Sequence, residues 1–321
     1  MRVEALYGPV QKDLALVEEA LASLKEVDFP PLAQMLDLVL RAGGKRLRPA
    51  LALLAGHFHD YRLDLLVPLA ASIELLHTAT LVHDDVIDNA RTRRGHPTAN
   101  SVFHNSTTVM LGDYMFAHAA HLVARTGNLR VIRLFAETLR RMAAGEIVQD
   151  MTAYDASQTV QSYLQRIGGK TASLFATACE GGAIVSGAPE AWVTALRDYG
   201  HNLGLSFQIV DDILDFIGEE EQLGKPVGSD LMQGTLTLPS LLLLERHPDG
   251  NPIRPLFAQP QRQEYLEQAV AMIRDSDIPQ QAYDIARVFG DSARRALAAL
   301  PPSPRRQTLL DIVSYVLERR T

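Results

Sequence analysis

Two aspartate-rich stretches, each inside an otherwise apolar segment, constrain the fold of this chain more than any other feature. The first is "LVHDDVIDNA" at residues 81–90, and the second is "FQIVDDILDF" at residues 207–216. In each stretch the first and last aspartates are four residues apart, which places them on one face of a helix. Carboxylates this close repel one another unless a cation lies between them. The pattern therefore predicts two helices that present oxygen ligands, which suit Mg²⁺ shared with phosphate oxygens.

One such stretch is a weak signal, because acidic pairs occur on many exposed helices. Two stretches inside apolar helices are much harder to explain as solvated surface. We expect facing helices to present them across a cleft. The candidate acidic residues are Asp84, Asp85, Asp88, Asp211, Asp212 and Asp215.

Most other segments repeat apolar residues at three- and four-residue spacing, with Gly or Pro between them. The segments "PLAQMLDLVLRAGG" and "VQSYLQRIGG" each end at a glycine pair, and Pro68 is expected near a helix start. The sequence lacks alternating β-branched runs. We therefore expect an all-α fold with one domain over residues 1–321. The stretch "IGEEEQLGKPVGSDLMQGT" is expected to be a functional loop.

Composition excludes several classes of protein. The net charge of −7 argues against a nucleic-acid partner, which would require a basic face. The single cysteine, Cys179, excludes an internal disulfide and fits a reducing compartment. The N-terminus lacks the apolar stretch of a signal peptide, and no unbroken apolar run approaches the length of a membrane span. We expect a cytoplasmic protein without a transmembrane segment.

Basic residues cluster in four short motifs and indicate a phosphate-rich substrate. Arginine binds phosphate oxygens through its planar fork, and lysine supplies a point charge. Free cations beside metal-bound carboxylates suggest two diphosphates, one on the metals and one metal-free. The motifs are "GGKRLRP" with Lys45, Arg46 and Arg48, "TRRG" with Arg93 and Arg94, "GGKT" with Lys170 and Thr171, and "LGKPVG" with Lys225.

The "GGKT" motif also resembles the end of a nucleotide-binding P-loop. The complete P-loop pattern requires glycine at position 164, where this chain has Leu164, and no strand precedes the motif. We therefore exclude an NTPase.

Taken in order, the motifs "GGKRLRP", "LVHDDVID" with "RTRRG", "GGKTASL", "FQIVDDILDF" and "GKPVGSDLMQGTLTLP" resemble those of the trans-isoprenyl diphosphate synthases, the polyprenyl synthase family. The resemblance covers residues 30–320. It implies the isoprenoid synthase fold, an all-α bundle of antiparallel helices around a deep central cavity. It also implies a homodimer, with peripheral membrane contact for release of the product.

The resemblance implies a role for each matching residue. Mg²⁺ would be held by Asp84, Asp88 and Asp211, with the other three aspartates completing the acidic walls. Isopentenyl diphosphate would be bound by Lys45, Arg48, His77 and Arg94. The allylic diphosphate would be bound by Arg93, Lys170, Thr171, Gln208 and Lys225.

The expected reaction starts with ionisation of the allylic diphosphate and continues with attack by the double bond of isopentenyl diphosphate. A dry apolar cavity would protect the allylic cation from water. One departure from many relatives is Thr235, which stands where they have lysine, and one diphosphate contact is lost there.

Product length is expected to depend on the turn before the first aspartate motif. Ala79 and Thr80 are both small, and Thr80 shares a face with Asp84. Short-chain relatives have bulky aromatics at these positions. The resemblance therefore implies a long-chain all-trans product, with the cavity floor deeper, near Met115 or His118 of the next helix. The alternative for Ala79 is that a neighbouring helix packs closely there.

Three other functions stay open at this point. A short-chain geranylgeranyl or farnesyl diphosphate synthase would share the motifs. A class I terpene cyclase also uses D-D-x-x-D, although it would replace the second acidic motif and would not need "GGKRLRP". A partner subunit of a heteromeric synthase would usually lack one acidic motif, and this chain has both.

Overall fold

The structure is a computed structural model that describes residues 3–41, 43–218 and 226–319. Helices dominate the described residues, so the all-α prediction is confirmed. The α-helices in chain order are α1 (Gln11–Ala22), α2 (Pro30–Arg41), α3 (Leu47–Gly56), α4 (Leu63–Ile87), α5 (Ala99–Val102), α6 (Asn105–Ala124), α7 (Leu129–Met151), α8 (Val160–Ile167), α9 (Ser173–Val185), α10 (Glu190–Ile217), α11 (Ser229–Met232), α12 (Leu238–Arg246), α13 (Ile253–Ala258), α14 (Gln263–Arg274), α15 (Ile278–Ala296) and α16 (Pro304–Glu318).

Short segments of other helical geometry adjoin these helices. A 3₁₀ helix, Val3–Val10, precedes α1, and two further 3₁₀ turns cover Ser23–Lys25 and Leu297–Ala299. One π-helical turn, Gly168–Ala172, separates α8 from α9 and contains the "GGKT" motif. Such turns are frequent at functional sites, because they re-aim side chains that a regular helix would place elsewhere.

Local sequence explains where several helices begin. At α8 the Thr159 side chain accepts a hydrogen bond from the Ser162 backbone N–H, and the Ser162 hydroxyl accepts one from the Thr159 backbone N–H. Each bond satisfies an N–H that the first helical turn leaves without a partner. At the start of α12, the Ser240 hydroxyl likewise accepts a hydrogen bond from the Thr237 backbone N–H at 2.8 Å.

Helix α4 differs from the sequence-based expectation at its start. It begins at Leu63, so Pro68 lies inside it rather than at its first turn. Proline has no backbone N–H, so the helix lacks one internal hydrogen bond there. Burial of most of the helix offsets that loss, because Leu66, Leu69 and Ile73 are fully buried.

A two-stranded hairpin follows α4, and the sequence pattern did not predict it. Strand β1 is Thr92–Arg93 and strand β2 is His96–Pro97, paired antiparallel. Arg94 and Gly95 form the turn with φ of 51° and 78°. Strands of two residues are too short to show an alternating pattern, so periodicity could not predict them.

Contacts divide the chain into two compact units. Unit 1 takes its described residues from Met1–Leu139, Leu174–Gly200 and Ala296–Ile312. Unit 2 takes them from Arg140–Ser173, His201–Arg295 and Val313–Thr321. The first aspartate stretch therefore belongs to unit 1 and the second to unit 2. The expected single domain over 1–321 stays a prediction.

Helix α4 occupies the interior of unit 1, where it packs against α1, α3 and α6. Helix α9 approaches α3 so closely that a Cβ atom on Gly182 would lie 2.2 Å from the Ala52 carbonyl oxygen. Only glycine permits this backbone contact. Cys179, on the same helix, is fully buried, and burial raises the pKa of its thiol.

Unit 2 has its own apolar core beneath the second aspartate stretch. Residues of α10 contribute Ile209, Val210 and Ile213 to this core, which α8, α12, α14 and α15 complete. The apolar residues of "FQIVDDILDF" face this core, which explains why apolar and acidic residues are mixed in the motif.

Among the described residues, α4 is the one helix long and apolar enough to cross a membrane. Of its most apolar window, 67% is buried inside the protein, as in the core helix of a globular protein. The length and apolar character of α4 therefore differ from the expectation that no segment is long enough to span a membrane.

Candidate active site

The first aspartate motif closes the C-terminal end of α4. Asp88 is the residue that follows the last helical position, and its backbone N–H donates to the Asp84 carbonyl oxygen at 2.8 Å. Asp84 is half-buried and Asp88 is exposed. One helical turn separates them, so their carboxylates lie on one face, as predicted. The helix macrodipole disfavours anions at this end, which makes a cation favourable here.

Asp85 points inward and has a different environment. It is buried, and the Arg93 Nε donates to its Oδ1 at 2.8 Å. The Asn100 side-chain amide donates to the Asp85 carbonyl oxygen at 3.0 Å. Burial raises the pKa of Asp85, and Arg93 opposes that rise. The hairpin after α4 thus returns an arginine to the aspartate motif.

A small cavity of unit 1 lies next to this motif. Three basic residues line it together with Glu74, namely His77, Arg93 and Arg94. The Arg94 Nη1 donates to the Gly43 carbonyl oxygen, which joins the hairpin to the loop before α3. The cavity therefore brings two predicted ligands of isopentenyl diphosphate, His77 and Arg94, next to one predicted ligand of the allylic diphosphate, Arg93. The assignment of Arg93 to the allylic diphosphate stays a prediction.

His77 is electrostatically prepared to stay neutral. Burial and the neighbouring arginines, Arg48 foremost, lower its pKa well below the usual range. A neutral imidazole can still donate one hydrogen bond to a phosphate oxygen. The Arg48 guanidinium lies over the Phe175 ring, 4.7 Å from its centroid. Lys45, just before α3, is exposed.

The candidate chain-length residues lie one turn before Asp84. Ala79 is fully buried, and the partly buried Thr80 donates its hydroxyl to the His77 carbonyl oxygen at 2.7 Å. Helix α6 packs along α4 and contributes the fully buried Met115. The role of Ala79 in product length stays a prediction.

The second aspartate motif begins with Asp211 on α10. Its Oδ1 lies 2.6 Å from the Arg319 Nη2, while 42% of its side chain remains exposed. Arg319 also donates to the Phe207 carbonyl oxygen at 2.6 Å and stacks on the Phe207 ring, 4.0 Å from its centroid. A C-terminal arginine thus supplies the counter-charge of this aspartate.

Asp212 is held by neutral donors instead of a cation. The Tyr163 hydroxyl donates to its Oδ2 at 2.6 Å, and the Gln208 side-chain amide donates to its Oδ1 at 2.8 Å. The Thr171 hydroxyl in turn donates to Gln208 Oε1 at 2.7 Å. Burial, and secondly the charge of Asp230, raise the pKa of Asp212 to about 7.

Asp215 is buried one turn further along α10. The Ser229 hydroxyl donates to its Oδ1 at 2.9 Å, and the Asp230 backbone N–H donates to its Oδ2 at 3.3 Å. The Gly228 backbone N–H donates to the Asp215 carbonyl oxygen at 2.9 Å. These bonds tie the start of α11 to the aspartate motif.

Lys170 lies in the π-helical turn before α9. Its Nζ is 2.6 Å from Glu146 Oε2 on α7, and Gln149 Oε1 accepts a longer bond of 3.5 Å. The structure thus places Lys170, Thr171 and Gln208 in unit 2 with the second aspartate motif. Lys225 lies outside the described residues.

Sequence reasoning missed three residues that contact the aspartates or basic groups. Arg319 contacts Asp211, Tyr163 contacts Asp212, and Glu74 binds an arginine of the loop before α3. The "YLQRIGG" helix gave a weak signal for Tyr163, because an aromatic residue on an amphipathic helix faces a core. Long-range pairs such as Arg319 with Asp211 leave no local pattern.

No three His, Cys, Asp or Glu side chains among the described residues are close enough to form a metal-binding cluster. The chemistry of the acidic residues nevertheless suits a divalent cation. Asp84 and Asp88 present carboxylates on one face, and Asp211 has a partly exposed carboxylate already paired with a cation. Hard oxygen donors of this kind bind Mg²⁺ or Ca²⁺.

The family model described as polyprenyl synthetase matches residues 29–273, which include both aspartate motifs and every basic motif. The chain belongs to the polyprenyl synthetase family. Prenyl diphosphate synthases are prenyltransferases that join isopentenyl and allylic diphosphates with the help of a divalent metal, so the predicted enzyme class is confirmed. The predicted terpene cyclase alternative is not supported.

Curated relatives match over almost the whole chain. Heptaprenyl diphosphate synthase component 2 of Geobacillus stearothermophilus is 40% identical, over 99% of this chain and 99% of that protein. Octaprenyl diphosphate synthase of Escherichia coli is 34% identical, again over 99% of both chains.

Solved structures of synthases confirm the isoprenoid synthase fold. A decaprenyl diphosphate synthase from Rhodobacter capsulatus superposes with a TM-score of 0.92 at 38% identity, covering 99% of both chains. A polyprenyl synthase from Caulobacter crescentus, solved with calcium and isoprenyl diphosphate, superposes with a TM-score of 0.94 at 34% identity, covering 99% of this chain and 98% of that one.

Proposed function

We propose that this chain is a Mg²⁺-dependent synthase of a long-chain all-trans polyprenyl diphosphate. The single observation that carries the long-chain assignment is the pair Ala79 and Thr80 one turn before Asp84, where no bulky side chain stands. The relatives named above make heptaprenyl, octaprenyl and decaprenyl diphosphates by their names, which supports the same assignment.

The acidic residues provide the metal ligands in this proposal. Asp84, Asp88 and Asp211 hold Mg²⁺, which when bound neutralises the charge that develops on the leaving diphosphate. Asp212 and Asp215 fix the geometry of α10 through their buried hydrogen bonds.

The basic residues divide between the two substrates. Lys45, Arg48, His77 and Arg94 bind isopentenyl diphosphate, and a neutral His77 contributes a hydrogen bond rather than a charge. Arg93, Lys170, Thr171, Gln208 and Lys225 bind the allylic diphosphate. The double bond of isopentenyl diphosphate is the nucleophile, so the reaction needs none from the protein. Apolar side chains exclude water from the allylic cation.

The product assay tests the proposed chain length. The purified chain is incubated with isopentenyl and farnesyl diphosphates plus Mg²⁺, and the products are separated by length. We expect products longer than geranylgeranyl diphosphate. Termination at that length or shorter would replace the proposal with a short-chain synthase.

The Ala79→Tyr variant tests the residue that carries the assignment. A tyrosine at this position is expected to block the elongating chain, so that products shorten to three or four isoprene units while substrate ionisation continues. The matched control is Ala117→Tyr, at an exposed position of α6, which should leave the product length unchanged. An active Ala79→Tyr variant with wild-type products would show that Ala79 is small only because α6 packs against it.

Assembly and location complete the proposal. Helix α6 exposes Val109 and Met110, with 68% of Met110 accessible, and such apolar side chains favour contact with a second copy of the chain. We propose a cytoplasmic homodimer that contacts the membrane surface when the product is released. Light scattering coupled to gel filtration tests the dimer, and Met110→Glu should reduce it to a monomer.

A second candidate is the partner subunit of a heteromeric synthase. Two relatives favour it, because heptaprenyl diphosphate synthase of Geobacillus stearothermophilus and of Bacillus subtilis are both named as component 2. The assay of the purified chain alone decides between the candidates. Full activity without another protein would support the homodimer, whereas activity restored only by a second component would support the heteromer.

A further inference from the structure

The loop before α3 has a strained backbone that other elements must hold in place. Arg46 precedes α3 and has a φ of 48°, in the left-handed region that non-glycine residues rarely adopt. Such conformations persist only where surrounding contacts enforce them. The loop matters for function, because its neighbours Lys45 and Arg48 are the proposed ligands of isopentenyl diphosphate.

The Arg46 side chain is bound by two carboxylates. Its Nε donates to Glu18 Oε1 on α1, and its Nη2 donates to Glu18 Oε2 at 3.0 Å. Its Nη1 lies 2.9 Å from Glu74 Oε1 on α4. The two-pronged geometry fixes the plane of the guanidinium as well as its position. Because Arg46 is engaged in this way, the contacts with diphosphate fall to Lys45 and Arg48.

A second contact holds the backbone of the same loop. The Tyr7 hydroxyl donates to the Lys45 carbonyl oxygen at 2.8 Å, and only 3% of Tyr7 is exposed. Tyr7 lies in the 3₁₀ helix Val3–Val10, which packs on α3, and α1 packs on α3 and α4. The N-terminal segment therefore contacts this loop through both a backbone oxygen and a side chain.

We propose that Tyr7 and Glu18 are positioning residues for isopentenyl diphosphate. They hold the Arg46 loop in its strained conformation, so that Lys45 and Arg48 are presented to the metal-free diphosphate without a further ordering cost. Both residues precede the region 29–273 that the family model matches. The inference rests on the proposed function, because it assumes that Lys45 and Arg48 bind this substrate.

The test is steady-state kinetics on Glu18→Gln, with each substrate varied while the other is saturating. Removing the carboxylate charge should raise the KM for isopentenyl diphosphate about tenfold, equivalent to about 1.4 kcal/mol. The KM for the allylic substrate and kcat should stay near wild-type values. The matched control is Glu19→Gln, an exposed neighbour on α1, which should change none of the three.

Two further variants make the test decisive. Tyr7→Phe removes only the hydroxyl and should raise the same KM by about threefold, roughly the value of one hydrogen bond. Arg46→Lys keeps the charge but loses the fork, and it should raise the same KM at least as much as Glu18→Gln, because it also disturbs the contact with Glu74. The double variant Glu18→Gln/Arg46→Lys should be no worse than Arg46→Lys alone, since that variant already breaks the contact with Glu18.

The possible failures of the two proposals differ. If Glu18→Gln and Tyr7→Phe raise both KM values equally, or leave the KM for isopentenyl diphosphate unchanged, the positioning proposal is overturned. If Lys45→Ala and Arg48→Ala leave the KM for isopentenyl diphosphate unchanged, the proposed binding site itself is wrong. Should Glu18→Gln not fold, Tyr7→Phe alone decides the question.

Discussion

Asp85 and Asp212 occupy the same place in the two aspartate motifs, yet they are held by different chemistry. Asp85 pairs with the cation of Arg93, whereas Asp212 accepts hydrogen bonds from neutral Tyr163 and Gln208. At the first position of the second motif, Asp211 pairs with Arg319. Identical spacing therefore fixes which carboxylates share a face, while the surrounding elements decide how their charge is compensated.

The last aspartates of the two motifs differ in solvent exposure. Asp88 is exposed at the end of α4, whereas its counterpart Asp215 is buried and bonded to the start of α11. The first motif therefore has more solvent access, and the second is built into a core. We infer that substitutions in the two motifs differ in their effects other than the loss of metal binding, which both motifs share.

The largest expected effect tests that shared role. Asp84→Ala and Asp211→Ala should each lower kcat by about three orders of magnitude, because electrostatic stabilisation of the leaving group is often the largest catalytic contribution. The measurement is turnover at saturating substrates and Mg²⁺. Asp64→Ala on α4 and Asp198→Ala on α10 are controls that should stay near wild type. A variant at Asp84 or Asp211 that kept a tenth of wild-type turnover would leave only one motif with a metal role.

A smaller effect is expected at Asp212, the middle aspartate of the second motif, and it depends on pH. Asp212 has a pKa of about 7 in the folded protein, raised above the unfolded value of 3.8 mainly by burial. The folded protein therefore binds the Asp212 proton more tightly than the unfolded chain does. The resulting contribution to the free energy of unfolding is present below pH 4 and is lost as pH rises to about 7. Asp212→Asn cannot ionise, and its free energy of unfolding should exceed that of wild type increasingly across this window, by up to about 4 kcal/mol.

Urea unfolding in the presence of a chelator measures this difference without metal. Asp64→Asn serves as the control of opposite sign, because its hydrogen bond with Arg62 lowers the pKa of Asp64. A gap between Asp212→Asn and wild type that stayed constant from pH 4 to pH 7 would show that Asp212 does not titrate there.

The smallest expected effect concerns the arginine that compensates Asp211. Arg319→Ala removes a cation that competes with the metal for the same carboxylate, so Mg²⁺ should bind about three- to tenfold more tightly with inorganic diphosphate. Arg319→Lys should bind nearly like wild type, and Arg295→Ala on α15 should have no effect. Calorimetric titration gives the affinities. Weaker binding by Arg319→Ala would show that the arginine orients Asp211 for the metal instead of competing with it.

The sequence predicted what depends on spacing. Helical periodicity located the helices, and four-residue spacing placed Asp84 with Asp88 on one face of α4. The grouping of His77 with Arg94 also agrees with the prediction. These features are local, and local spacing determines them.

The features that the sequence did not reveal depend on tertiary packing or on backbone geometry. In "GGKRLRP" nothing distinguishes Arg46 from Arg48, and only the left-handed backbone directs Arg46 to Glu18 and Glu74. Arg319 meets Asp211 across a long separation in the chain, which no periodicity records. The apolar character of α4 forms no unbroken run of membrane length, because Glu74 and His77 interrupt it inside the helix.

Cys179 has a practical consequence for studying this enzyme in solution. Its thiol is fully buried with a raised pKa, and thiolate is the form that reacts with maleimides. The native chain should therefore behave as cysteine-free toward such reagents. Cysteines introduced at Glu19 in unit 1 and Gln268 in unit 2, both exposed, would accept a spin-label or fluorophore pair without background. The distance between the labels would then report how the two units respond to each diphosphate.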